Sequence, residues 1–113
     1  MNVAELVSMR DAYGKTLVEL GEQNKDIVVL SADLTESTRV IWFADRFPDR
    51  FFNVGVAEQD MMGTASGLAM GGKIPFVSTF AIFATGRPWE QIRQSVCLSN
   101  RNVKIVATHG GVT

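Results

Sequence analysis

The chain has 113 residues, 46% of them hydrophobic and 20% charged, and carries a formal net charge of −1. That length suits one domain around a single core, and the near-neutral charge offers no basic surface for nucleic acid or an anionic membrane. A single cysteine, Cys97, and a single histidine, His109, exclude an internal disulfide framework and a Cys/His zinc site.

The N-terminus, MNVAELVSMR, places an acid before its first base and lacks an apolar signal core. No apolar run approaches the ~20 residues of a membrane span, so the expected setting is cytoplasmic. Ser8, with Asp11 three residues on, reads as a capping-box-like helix start. The helix carries Ala12, Tyr13, Leu17 and Leu20 at helical spacing, and Gly21 supplies its stop. DIVVLS reads as a buried strand. TRVIWFADRFP reads as a second helix, with Val40, Phe43, Ala44 and Phe47 on one face and Pro48 ending it.

RFFNVG is a second strand, and AEQDMMGTASGLAMGG a third helix closed by Gly71 and Gly72. KIPFVST is a third strand. Pro88 opens a fourth helix with Trp89, Ile92 and Val96 on one face, and NVKIVATH is a fourth strand. Helices alternating with continuously apolar strands predict an α/β fold: an open, mainly parallel sheet with helices on both faces. The sequence ends at THGGVT, directly after a strand, where such a domain normally continues into a helix. The expectation is one domain over residues 1–113, incomplete at its C-terminus.

Open α/β sheets bind ligands at the carboxyl ends of their strands. Those ends are SADLTES, NVGVAE, STFAIF and THGG, and they collect Asp33, Ser37, Glu58, Phe80, Phe83 and His109. Glu58, in a first helical turn, reads either as a complement to the helix dipole or as a buried carboxylate facing a ligand. Gly63 and Gly67 share a face with small neighbours and permit close approach of another backbone, either the chain's own sheet or a second subunit. Phe80 and Phe83 are core residues or a wall for a flat ring. His109 precedes two glycines that let backbone approach a ligand. Arg10 opposes the dipole of its helix and is open to an anion. Arg87 and Arg93 read as solvated helix residues, and Cys97 as a buried or semi-buried packing residue.

MRDAYGKTL, SADLTES, FFNVGVAEQDMMGTASGLA, PFVSTFAIFATGR and KIVATHGG together resemble the pyrimidine-binding domain of transketolase. The likeness is closest to the C-terminal subunit of split bacterial and archaeal transketolases, and runs from about residue 8 to the end. The resemblance implies a thiamine diphosphate-dependent ketol transferase of the pentose phosphate pathway, with sites built by two subunits. It implies that Glu58 hydrogen-bonds the pyrimidine nitrogen N1′ and favours the imino tautomer that deprotonates the thiazolium carbon. By the same likeness Phe80 and Phe83 line the pyrimidine pocket, Asp33 lies near the cofactor, and Arg10, Ser37 and His109 hold the substrate's sugar phosphate. A third aromatic usually follows in that pocket; Gly86 stands there in this chain.

Further implications are a homodimer or heterotetramer, with the small-residue helix at the subunit interface. The diphosphate and its Mg2+ or Ca2+ belong to a different domain or chain. A core similar to GVAEQ occurs in deoxyxylulose-phosphate synthases; that enzyme, or the beta chain of a 2-oxo-acid dehydrogenase, stands as an alternative. A catalytically inert dimerisation module is a third, against which Glu58, Phe80 and His109 together speak.

Overall fold

The computed structural model describes residues 8–111; the first seven residues of MNVAELVSMR, the segment read above as lacking a signal core, lie outside the described residues. Helix α1 (Met9–Gln23) starts after Ser8, but no side chain caps it. Asp11 turns instead to Arg39, whose Nε lies 2.8 Å from its Oδ1, because a guanidinium is a stronger partner for a carboxylate than an exposed backbone N–H. Nor does Gly21 stop the helix, which runs on to Gln23. Gly21 is buried because a Cβ there would stand 2.7 Å from the Phe43 ring and 2.8 Å from that of Phe47.

Four parallel strands form one sheet: β1 (Ile27–Ser31), β2 (Phe51–Asn53), β3 (Ile74–Phe80) and β4 (Lys104–Thr108), in the order β2-β1-β3-β4. Ile27 pairs with Ile74, Val29 with Phe51 and Phe76 with Lys104. The chain steps from β1 outward to β2, then returns across β1 to β3. That reversal opens a crevice at the carboxyl ends of the two central strands. β1 is buried along its whole length, as its apolar run predicts, whereas the short β2 and the outer β4 are largely exposed edges.

Alternation along the strands divides the core in two. Val28, Leu30, Ala32 and Val77 meet Met61, Met62 and Ala65 of helix α3 (Glu58–Met70). Ile27 and Val29 meet Leu17 of α1 and Val40 and Phe43 on the other face. Phe43 belongs to helix α2 (Ile41–Arg46), shorter than the pattern predicts. Arg39 takes φ +67, a left-handed turn that delays the helix, and Pro48 then starts a 3-10 turn. Helix α3 closes as expected: Gly72 takes φ +94, with Lys73 N–H on the Leu68 carbonyl at 3.0 Å and Gly72 N–H on that of Ala69 at 3.1 Å.

The crossover from β3 to β4 begins with helix α4 (Ala81–Thr85) and helix α5 (Trp89–Gln91). It continues as π-helical turns over Ile92–Cys97. Here the expected single face fails. Leu98 N–H reaches back to the Arg93 carbonyl and Arg101 N–H to that of Val96, so the wider π spacing rotates the phase. Val96 is buried, Trp89 is exposed, and Cys97, expected inside, is also exposed. No helix of the described residues is long and apolar enough to cross a membrane.

Candidate active site

The carboxyl ends of the strands carry left-handed residues that turn the backbone off the sheet: Asp33 at φ +62, Gly55 at +76 and His109 at +58. Asn53 braces two of these turns, its Oδ1 accepting from the backbone N–H of Asp33 at 2.9 Å and of Gly55 at 3.1 Å. Asp33 itself is exposed and lines a hollow with Ser37, Thr35 and Asn53.

Glu58 is the first residue of α3 and only 4% exposed. Burial beside the first helical turn suits a carboxylate, since the free N–H groups and the helix dipole are positive there. Dipole matching alone would leave it in water, as it does the exposed Asp60. Its Oε1 accepts from Nη1 of Arg87 at 3.0 Å, and among the described residues no donor reaches Oε2. The two residues, with Val56, Ala57, Gln59 and Asp60, line a cleft of about 410 Å³.

Arg87 was missed by sequence reasoning, which placed it on a solvated helix. It stands in the turn between α4 and α5, with its guanidinium carbon 4.0 Å from the centroid of the Phe83 ring. A planar group thus covers the Phe83 ring one residue after Gly86, where the sequence lacks a third aromatic. No local signal marks this, because Glu58 and Arg87 meet only through the tertiary fold. Phe80 ends β3 and Phe83 lies on α4; their rings are 5.9 Å apart and 14° from parallel. The His109 ring stands 4.0 Å from that of Phe80, and its Nδ1 is 2.7 Å from the hydroxyl of Thr108. Planar groups thus follow one another from His109 through Phe80, Phe83 and Arg87 to the carboxylate of Glu58.

A second hollow, of about 400 Å³, lies at the end of β4 and is lined by Arg10, Tyr13, Thr108 and His109 among others. Arg10 donates from Nη1 to the backbone carbonyl of Ser37 at 3.0 Å. Arg10, Ser37 and His109, far apart in sequence, therefore gather around one end of the sheet. Tyr13, read from sequence only as an apolar-face residue, reaches from α1 to the Ser78 hydroxyl at 2.6 Å. Burial pushes the Tyr13 hydroxyl up to about 12, against a smaller opposite pull from that hydrogen bond. Among the described residues, no three His, Cys, Asp or Glu side chains converge as a metal ligand set.

The outward stripe of α3 is Gly63, Gly67 and Met70. Nothing stands within 4 Å of a Cβ built on either glycine. The reading of these glycines as a close contact with the chain's own sheet is thereby removed. Ala65 faces the core, and Ser66 donates to the Ser95 carbonyl at 2.6 Å.

A buried carboxylate beside a near-parallel aromatic pair fits a flat, protonatable heteroaromatic ring, and an arginine–histidine hollow fits an anion. The family model described as the transketolase pyrimidine-binding domain matches residues 5–113. A protein of Methanocaldococcus jannaschii that carries the name transketolase C-terminal section is 58% identical over 105 residues. The match covers 93% of this chain and 33% of that protein. A protein of Clostridium sp. named 6-deoxy-6-sulfo-D-fructose transketolase subunit is 42% identical over 105 residues, again 93% of this chain and 33% of the relative. Among solved structures, one described as a split gene transketolase, inactive beta4 tetramer, superimposes with a TM-score of 0.84 at 59% identity. That superposition covers 93% of this chain and 35% of the other. The chain thus spans about one third of the length of these relatives. With a matching family model over almost its whole length and a relative 58% identical over 93% of it, the chain belongs to the transketolase family as a pyrimidine-binding domain.

Proposed function

We propose that this chain is the pyrimidine-binding part of a thiamine diphosphate-dependent transketolase, which moves a two-carbon ketol unit from a ketose phosphate to an aldose phosphate. Thiamine diphosphate, when bound, supplies a thiazolium carbon able to carry that unit. The observation that carries the reading is Glu58: a carboxylate buried at a helix start, opening on a cleft and connected through Arg87 to the Phe80–Phe83 pair. Glu58 is the residue to hold the ring nitrogen of an aminopyrimidine. In low dielectric such a hydrogen bond is stronger than in water, and its donor and acceptor are fixed before reaction begins.

Phe80 and Phe83 supply the apolar faces for that ring, and Asp33 stands at the neighbouring strand end. Arg10, Ser37 and His109 take the substrate's phosphate. The diphosphate and its Mg2+ or Ca2+ belong to another domain or chain. The open stripe of Gly63, Gly67 and Met70 is where that partner, or a second copy, packs.

Glu58→Gln in the full assembly tests the reading. Ketol transfer should fall with a barrier increase of about 2–4 kcal/mol, roughly 30- to 1,000-fold in rate; activity near the parent rate would refute the role. The relative named for a sulfosugar raises a sulfonate as the alternative anion. Donor assays with xylulose 5-phosphate and with 6-deoxy-6-sulfo-fructose should favour the phosphate.

A further inference from the structure

Arg87 makes the two contacts that a flat, nitrogen-bearing ring would make at the proposed site. Its Nη1 donates to Glu58 Oε1 at 3.0 Å, and its guanidinium plane lies over Phe83 with 4.0 Å from carbon to ring centroid. We propose that Arg87 is a latch: it holds Glu58 and covers Phe83 while the site is empty, and swings out when the aminopyrimidine docks. This rests on the reading of Glu58 and Phe83 as ring-binding residues.

Three features support the exchange. The first is competition for the same acceptor. A carboxylate already neutralised by a guanidinium is a weaker partner for a ring nitrogen, and a cation stacked on Phe83 blocks the face on which a ring would lie. The second is unequal exposure: the Arg87 side chain is 49% exposed and that of Glu58 is 4%. Arg87 can move into water and be hydrated there, whereas the buried Glu58 needs a partner where it is. The third is the anchoring of the turn. Gln59 donates from Nε2 to the Arg87 carbonyl at 3.1 Å, tying the backbone to the start of α3 while the side chain is free to swing. The latch therefore holds Glu58 in place, and its departure hands the carboxylate to the ring.

A latch closed for about 70–90% of the time lowers apparent cofactor affinity roughly 3- to 10-fold. The test uses the whole assembly with its diphosphate-binding partner, titrated with thiamine diphosphate at fixed Mg2+ and read by calorimetry. Arg87→Met should tighten the dissociation constant by that factor. Pyrophosphate, which lacks the ring, should bind the variant and the parent alike. Unchanged or weaker thiamine diphosphate binding overturns the latch, as does equal tightening of pyrophosphate. Should Arg87→Met fail to fold, Arg87→Lys keeps the charge but not the planar stack, and a smaller tightening, about 2-fold, is expected; none overturns the proposal. Glu58→Gln in the same titration separates the two ideas. If it changes neither binding nor ketol transfer, the ring-binding reading fails, and the latch with it. If Glu58→Gln weakens both while Arg87→Met changes nothing, only the latch fails.

Discussion

Tyr13 ties the first helix to the centre of the sheet through one hydroxyl, bonded to Ser78 across 65 residues of sequence. The folded state holds its proton more tightly than the unfolded state, with the value raised from 10.0 to about 12 by burial. The stabilisation is present in full below pH 10 and is lost as pH rises towards 12. Two units correspond to about 2–3 kcal/mol over that window. Tyr13→Phe should cost about 1 kcal/mol at pH 8, because it leaves the buried Ser78 hydroxyl without its partner. It should also lose less stability than the parent between pH 9 and pH 11 in urea unfolding; equal losses would contradict the assignment. At this scale the sequence was readable where chemistry is local. Glu58 and His109 became candidates by their places at strand ends. Arg87 did not, since its contact is with a carboxylate 29 residues away.

Two helices use glycine in opposite ways. In α1, a Cβ on Gly14 would stand 2.5 Å from the Trp42 ring and 2.8 Å from the Arg39 carbonyl, so the residue sets the distance between α1 and α2. Gly14→Ala should destabilise the chain by about 1–3 kcal/mol, since a backbone carbonyl cannot be repacked like a side chain. In α3, Gly63 and Gly67 face open space. Gly63→Ala should raise the stability of the isolated chain by up to about 1 kcal/mol through helix propensity alone, while weakening the association proposed for this face. Denaturant unfolding and sedimentation measure the two effects, and a variant that gains stability and assembles as before would remove α3 from the interface. The pattern of small residues was visible in α3 but could not say which neighbour it serves. In α1 it was misread, Gly21 as a stop, because the Phe43 and Phe47 rings that require it arrive from another element. The π turns of Ile92–Cys97 were likewise invisible, since a 3.6-residue period is the default on which pattern reading depends.

For the whole molecule, alternation of helices with apolar strands was enough to predict a parallel sheet covered on both faces, and that sheet is observed. Strand order was not readable, because nothing local to β1 says that β3 rather than β4 lies beside it. The site as proposed is divided between this chain and a partner that holds the diphosphate. The isolated chain should therefore bind thiamine diphosphate more weakly than micromolar in a calorimetric titration and show no ketol transfer; micromolar binding would mean that the chain holds the whole cofactor by itself. The strand order also bears on synthesis. β1 is made before both of its neighbours, and β3 follows roughly 50 residues later, about 2–10 s of translation at 5–20 residues per second. Until β3 is made, the edge of β1 that it covers stays open on the nascent chain, although β1 is the most completely buried strand of the described residues. A ribosome pausing between β2 and β3 would lengthen the period in which that edge has no strand beside it.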